Sequence, residues 1–169
     1  SSSVTLSSTA AGDSGDISLA TIFGDIAIHG PLSSTSTSMY NNAGNGGRIS
    51  LSSSYGDIFS SSRIESDSRT FLEGDSKNGG EICIHADSGN VRIVGSLTTV
   101  SVGDSFSGRG GDISIASEGD IDAGYLTSYS LANANVGDGG DISLSSISGD
   151  INVSERLSSN SSQALGDAS

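Results

Sequence analysis

The sequence predicts an all-β fold, a parallel β-helix (β-solenoid) of about five coils, each about 31 residues long and carrying three short strands. Three observations predict it. A glycine-led motif recurs in fixed order along the chain, apolar residues alternate with small polar ones at each recurrence, and no long stretch keeps a helical period. We therefore expect residues 1–169 to form a single domain.

The first strand of each coil begins with the motif Gly-Xaa-Ile-Xaa-(Ile or Leu). The leading isoleucines are Ile17, Ile49, Ile82, Ile113 and Ile142, with spacings of 32, 33, 31 and 29 residues. The second apolar positions are Leu19, Leu51, Ile84, Ile115 and Leu144. Coils of a solenoid stack about 4.8 Å apart, so each of these two sets is predicted to form a ladder inside the coils.

Two further apolar anchors follow in every coil and predict the second and third strands. The second anchors are Ile26, Ile58, Val91, Ile121 and Ile151, each preceded by Gly-Asp or Gly-Asn. The third anchors are Leu32, Ile64, Leu97, Leu126 and Leu157. A short alternation of apolar and polar residues bounded by Gly and Asp is typical of a strand with one buried face.

Glycines and variable segments are predicted to form the corners and loops. Gly46-Gly47, Gly79-Gly80, Gly110-Gly111 and Gly139-Gly140 precede the first strands, where we expect sharp turns with positive φ. The lengths vary most between the third anchor and these glycines. The predicted loops are residues 33–45, 65–78, 98–109 and 127–138. Binding specificity usually resides in such loops.

Composition and charge limit the classes of partner. Only 33% of the chain is hydrophobic, while by count 40 residues are Ser and 24 are Gly, so Ser and Gly are expected on the outer face and corners of a thin-cored rod. The net charge of −13 repels phosphate groups, which argues against nucleic acid and anionic lipid surfaces as partners. Neither a membrane span nor a signal peptide is recognisable in this chain.

The repeats resemble those of a known family of secreted proteins. The run from Val136 to Leu144, Val-Gly-Asp-Gly-Gly-Asp-Ile-Ser-Leu, followed by Ser-Gly-Asp-Ile-Asn-Val, resembles the repeats of filamentous haemagglutinin-like exoproteins, bacterial surface proteins exported by two-partner secretion. The resemblance covers all five units, and the Asn-Pro motifs of that family's secretion domain are missing. It implies a right-handed β-helix, an extracellular location at the cell surface, and a structural or adhesive role in a fibre shaft. The partners that we expect are neighbouring coils or copies of the chain, and carbohydrate or a host or cell surface.

The two ends of the chain fall at the same phase of the repeat. Ala-Ala-Gly-Asp-Ser at residues 10–14 corresponds to Ala-Leu-Gly-Asp-Ala-Ser at residues 164–169, and neither end carries a recognisable capping helix. Because solenoids need caps to cover their open ends, we expect either a segment of a longer repetitive chain or a subunit that stacks end to end.

A column of carboxylates is the main candidate metal site, beside a second acidic column of Asp16, Glu81, Asp112 and Asp141 that Arg48 interrupts. We define the carboxylate column as Asp25, Asp57, Asp120 and Asp150, with Asn90 in the middle coil. Stacking places these side chains about 5 Å apart, where Ca²⁺ could bridge them. The alternative is that Asp at a corner only binds local backbone amides. No cofactor other than Ca²⁺ is predicted.

A carbohydrate-active β-helical enzyme, such as a polysaccharide lyase or hydrolase, is the alternative function. A glycosidase needs two carboxylates facing each other across a sugar, and candidate carboxylates are plentiful. The basic residues and the four tyrosines are scattered along the sequence, however, and His29 and His85 are expected to point outward from different coils. No catalytic residue is predicted, and the sequence favours a protein that is not an enzyme.

Overall fold

The computed structural model describes residues 2–5 and 10–164, and it contains β-strands joined by turns. Strand β1 (Ser2–Thr5) pairs with β4 (Leu32–Ser38) and lies one coil before the first full coil. The strands of the first two full coils are β2 (Ile17–Phe23), β3 (Ile26–Ile28), β4, β5 (Ile49–Tyr55), β6 (Ile58–Ser60) and β7 (Ile64–Thr70). The remaining strands are β8 (Ile82–Ala86), β9 (Val91–Val102), β10 (Phe106–Ser107), β11 (Ile113–Ser117), β12 (Ile121–Ala132), β13 (Asn135–Val136), β14 (Ile142–Ser146) and β15 (Ile151–Gln163). The predicted tail at residues 165–169 lies outside the described residues.

All strand pairs are parallel and join successive coils. One sheet has the order β14-β11-β8-β5-β2, and a larger sheet has the path β1-β4-β7-β9-β12-β15, with β3 and β6 pairing beside it. A third sheet holds only β10 and β13. This topology confirms the predicted all-β solenoid of about five turns. The described residues include no helix able to span a membrane.

The three strands predicted for each coil are separate only in the first two coils. In coils three to five, the second and third strands are continuous as β9, β12 and β15, which have 12, 12 and 13 residues. The register between β12 and its neighbours shifts between Ala123 and Tyr125. A β-bulge therefore bends one long strand where the earlier coils break the strand.

The predicted apolar ladders are confirmed. Ile49, Ile82 and Ile113 pair in register and are fully buried, as are Leu51, Ile84 and Ile115 on the same strands. The second and third anchors form two more ladders that pack against the first two in a single apolar cluster. Each coil alone exposes its apolar face, so the core exists only because coils stack.

Buried serine and threonine side chains fill the part of the interior that the apolar ladders leave. The apolar pattern of the sequence does not predict this polar part. Ser34, Ser66, Thr99 and Ser128 stack in register and are fully buried. Their hydroxyls donate to carbonyl oxygens of the facing corner, for example Ser128 Oγ to Gly111 O at 2.8 Å. The placement of all serines on the outer face and corners was therefore wrong.

The predicted loops were also partly wrong. The first residues of each segment at 33–45, 65–78, 98–109 and 127–138 extend the third strand, as in β4 and β7. Their Ser-Xaa-Ser alternation points every second hydroxyl inward. Alternating serines resemble a loop in sequence because they lack apolar residues, but buried hydroxyls are satisfied when each reaches a carbonyl.

The corner glycines are required for a reason other than positive φ. Among the described residues, positive φ occurs only at Gly24 and Gly74. At Gly47, Gly80 and Gly111 the backbone of the preceding coil leaves no room for a Cβ, which would overlap its carbonyl oxygen. The prediction of positive φ at these corners was thus wrong, and close approach of backbones explains the glycines.

Candidate functional site

The structure brings the carboxylate column together on one edge of the solenoid. The backbone N–H of each member donates to the side chain of the member one coil earlier. Asp57 N lies 2.9 Å from Asp25 Oδ1, and Asn90 N lies 2.7 Å from Asp57 Oδ1. The series continues with Asp120 N to Asn90 Oδ1 and Asp150 N to Asp120 Oδ1, both at 2.8 Å. The column is therefore a continuous ladder of side chain to backbone hydrogen bonds.

Corner geometry explains why this position requires Asp or Asn. The carbonyl oxygen of Asp57 accepts from Ile26 N at 2.9 Å, so both backbone polar groups of Asp57 face the preceding coil. The acceptor for the Asp57 amide is therefore the Asp25 carboxylate and not a backbone carbonyl. The same arrangement holds at Asp120, whose carbonyl accepts from Val91 N at 2.9 Å. An amide left without an acceptor costs free energy, so the side chain completes the corner.

A second column uses the same device beside the first strands. Arg48 N donates to Asp16 Oδ1, and Asp141 N donates to Asp112 Oδ1, each at 2.7 Å. Arg48 interrupts the acidic run and pairs with Glu81 at 3.4 Å. Arg109 bridges Asp112 and Asp141, at 2.9 Å to each. Basic side chains thus neutralise part of this column.

Two more ladders of the same kind were missed in the sequence. Asn45 N donates to Asp13 Oδ1 at 2.7 Å, and Arg109 N donates to Asn78 Oδ1 at 2.9 Å. Asp75 N donates to Asn42 Oδ1 at 2.9 Å on a neighbouring corner. The signal for these ladders was Asn or Asp recurring about 32 residues apart within segments that had been interpreted as loops.

The hydrogen bonds give the carboxylate column a structural role that needs no cation. Within residues 10–164, no group of three or more His, Cys, Asp or Glu side chains is arranged to hold a metal ion. Calcium binding by Asp25, Asp57, Asp120 and Asp150 stays a prediction from the sequence. The spacing that suggested bridging also places each carboxylate beside the amide that it accepts.

The most perturbed carboxyl in the described residues was not predicted. Asp67 alternates with inward Ser66 and Ser68 on β7, yet only 1% of its surface is exposed. Arg69 donates to Asp67 Oδ2 from Nε at 3.1 Å and from Nη2 at 2.7 Å, while Asp67 Oδ1 is buried without a partner. Burial raises the pKa of Asp67 to about 6, although the guanidinium of Arg69 opposes this shift.

The histidines are exposed, as predicted, and lie in separate places. His29 contacts the Phe59 ring, with 5.9 Å between ring centroids. His85 lies on β8, in a different sheet from the strand that precedes His29. Its Nε2 is 2.5 Å from Asp87 Oδ1, and both side chains are half exposed. These two histidines therefore do not combine into one catalytic set.

Cys83 occupies the outward column that Ser50 and Ser114 fill in the neighbouring coils, as predicted. Its Sγ donates to Glu81 Oε1 at 2.8 Å, and Arg48 Nη2 lies 3.4 Å from the sulfur. Partial burial and the hydrogen bond to Glu81 raise the pKa of this thiol. The raised pKa keeps Cys83 in its less nucleophilic thiol form at neutral pH.

The fold and its ladders define the class to which the chain belongs, a parallel β-solenoid repeat protein. Comparison with protein-family models, with curated proteins and with solved structures finds no match. The function is therefore argued from the geometry of the coils and their exposed surfaces.

Proposed function

We propose that this chain is a structural and adhesive section of an extracellular fibre shaft, in which its outer coils are covered by further coils. The covering coils belong either to the same long chain or to a second copy stacked end to end. The resemblance to filamentous haemagglutinin-like repeats supports the location at a bacterial cell surface. The acidic, serine-rich outer surface suits a hydrated rod, and its charge argues against nucleic acid as a partner.

Incomplete burial of the outer ladder residues supports this proposal. Among the third anchors, Leu126 is fully buried, but Leu157 in the last coil is 51% exposed. Among the second anchors, Ile121 is fully buried and Ile151 is 46% exposed. These side chains point inward, and their exposure arises because no described coil lies over them. A further coil in the same register would bury them.

Sedimentation velocity over a range of protein concentrations tests end-to-end stacking. We expect the wild-type chain to form larger species as concentration rises. Leu157→Glu should remain monomeric because it places a charge on the coil edge. Val94→Glu is the matched control, since Val94 is 55% exposed on a strand that is paired on both sides. A wild-type chain that stays monomeric at every concentration would contradict end-to-end stacking.

A carbohydrate-active enzyme is the second candidate function. One depression on the outer face brings the carboxylates of Asp120 and Asp122 beside Phe59. Retaining and inverting glycosidases both use a pair of carboxyl groups flanking the scissile bond. Release of reducing ends from neutral polysaccharides tests this candidate. Activity that Asp122→Asn abolishes would support it, and no release from any polysaccharide tested would contradict it.

A further inference from the structure

A polar depression lies on the outer face of the larger sheet, away from the predicted loops. It consists of two adjoining hollows of about 270 and 330 Å³, which share Arg92 and Asp122 in their walls. The larger hollow lies at the lower end of the volumes typical of small-molecule sites. The depression extends from β6 in the second coil to β15 in the fifth coil.

The bulge in the long strands borders this depression. Gly124 lies against the backbone of Val94 and Gly95, so that two residues of β9 oppose one residue of β12. The strands bend there. A Cβ at Gly95 or Gly124 would meet the backbone of the preceding coil, so both positions favour glycine. Val94, which is 55% exposed, and Ala123 line one hollow beside this bend. The irregularity that joins the second and third strands therefore borders the depression.

One outward column supplies the floor of the depression. Phe59, Arg92, Asp122 and Asn152 stand in register, one from each of four successive coils. Among the described residues Arg92 makes no ion pair within 4 Å, whereas Asp122 accepts from Asn152 Nδ2 at 3.2 Å. An apolar ring, a free guanidinium, a carboxylate and an amide thus form one line along the solenoid axis.

The rims add acceptors to that line. Asp57, Asn90 and Asp120 of the carboxylate column border one hollow, and Glu155 borders the other. Glu155 accepts a hydrogen bond from Tyr125, and this bond raises the pKa of Tyr125. Carboxylates therefore outnumber basic groups around the depression. Such a border repels anionic ligands and leaves hydroxyl groups as suitable partners.

We propose that this depression binds a neutral oligosaccharide lying along the column from Phe59 to Asn152. Phe59 provides an apolar surface for one face of a sugar ring. Arg92 donates to ring or hydroxyl oxygens, and Asp122 and Asn152 accept from hydroxyl groups. The column spans three coil steps, or about 14 Å, which suits a chain of a few sugar residues. This inference goes beyond the shaft role and does not depend on it, because the depression lies within one monomer.

NMR titration of the isotope-labelled chain tests the proposal. The probes are neutral trisaccharides built from glucose, mannose, galactose or N-acetylglucosamine, with trigalacturonate as the anionic comparison and calcium chloride as the ionic one. We expect at least one neutral trisaccharide to shift the amide signals of residues 59, 92, 122 and 152, and trigalacturonate to bind more weakly. The Kd should rise about tenfold in Phe59→Ala and in Arg92→Ala, since each removes one principal contact.

Matched controls keep the test specific. Tyr55→Ala removes an exposed aromatic ring that stacks on Phe23 elsewhere, and Lys77→Ala removes a basic group that pairs with Asp13 on another corner. Both should bind like wild type. Asp122→Asn keeps the side-chain volume and provides a second probe if Arg92→Ala fails to fold. The proposal is overturned if no neutral trisaccharide shifts these amides, if calcium alone shifts them, or if the controls weaken binding equally.

Discussion

Substitution of Asp57 separates the hydrogen-bonding role of the carboxylate column from a role that requires negative charge. Asp57 Oδ1 accepts from the backbone N–H of Asn90 at 2.7 Å and from its Nδ2 at 3.2 Å. Asp57→Ala removes both bonds, whereas Asp57→Asn keeps an acceptor oxygen in the same place. Asn90 itself shows that Asn serves at this position, because its Oδ1 accepts from Asp120 N.

The expected magnitude follows from the exposure of this corner. A hydrogen bond to a charged group contributes roughly 1.5–3 kcal/mol, but the exposed amide of Asn90 can bind water after truncation, which places the loss near about 1 kcal/mol. Asp57→Ala should therefore lower the melting temperature by about 2–4 °C in a chain of this length. Asp57→Asn should stay within about 0.5 kcal/mol of wild type, a range typical of surface substitutions.

Thermal unfolding followed by far-ultraviolet circular dichroism, with a chelator present throughout, measures both variants. The reasoning predicts that Ala destabilises and that Asn does not. If Asn destabilises as much as Ala, the carboxylate charge and not its acceptor oxygen stabilises the corner, and the hydrogen-bonding explanation of the column is refuted.

Three further predictions follow from the same structure. Gly111→Ala should cost about 1–3 kcal/mol, because its Cβ would overlap the backbone of Gly80, whereas Gly30→Ala, with open space around it, should be neutral in the same melts. The raised pKa of Asp67 means that the folded state favours its protonated form, so stability should decline as pH rises from about 4 to about 6, by at most about 3 kcal/mol. Asp67→Asn should remove that decline in melting curves recorded across this range, and an unchanged pH profile would contradict the assignment. Calcium and chelator should each leave the wild-type melting temperature unchanged if the carboxylate column serves the backbone alone, and a rise with calcium would instead support bridging.

The apolar ladders were predictable because apolar residues recur in the sequence at the spacing of the coils. Ile49, Ile82 and Ile113 recur with flanking glycines, and parallel stacking then fixes their register. The serine half of the interior was not predictable from apolar periodicity, since residues such as Ser66 and Ser128 are buried only because a facing corner offers carbonyl oxygens. That partnership depends on the cross-section of the coil, which local sequence does not specify.

The candidate site residues were also predictable only where they share one position in the repeat. The carboxylate column was predicted because its members share one position in the repeat, although its hydrogen bonds to the next coil required the corner geometry. Asp67 was missed because it alternates with the inward serines, so its strand pattern places it on the outer face although it is buried. The depression at Arg92 lies beside a bulge, and a bulge changes the register without changing the repeat motif.

Cryo-electron microscopy of the concentrated wild-type chain tests the shaft proposal most directly. Stacked coils predict filaments in which the spacing of about 4.8 Å between strands continues across every junction between chains. The inward ladders should also continue, so that Leu157 of one copy is buried under the first coil of the next. Discrete single particles under all conditions, or filaments whose junctions interrupt the strand spacing, would contradict end-to-end stacking of this solenoid.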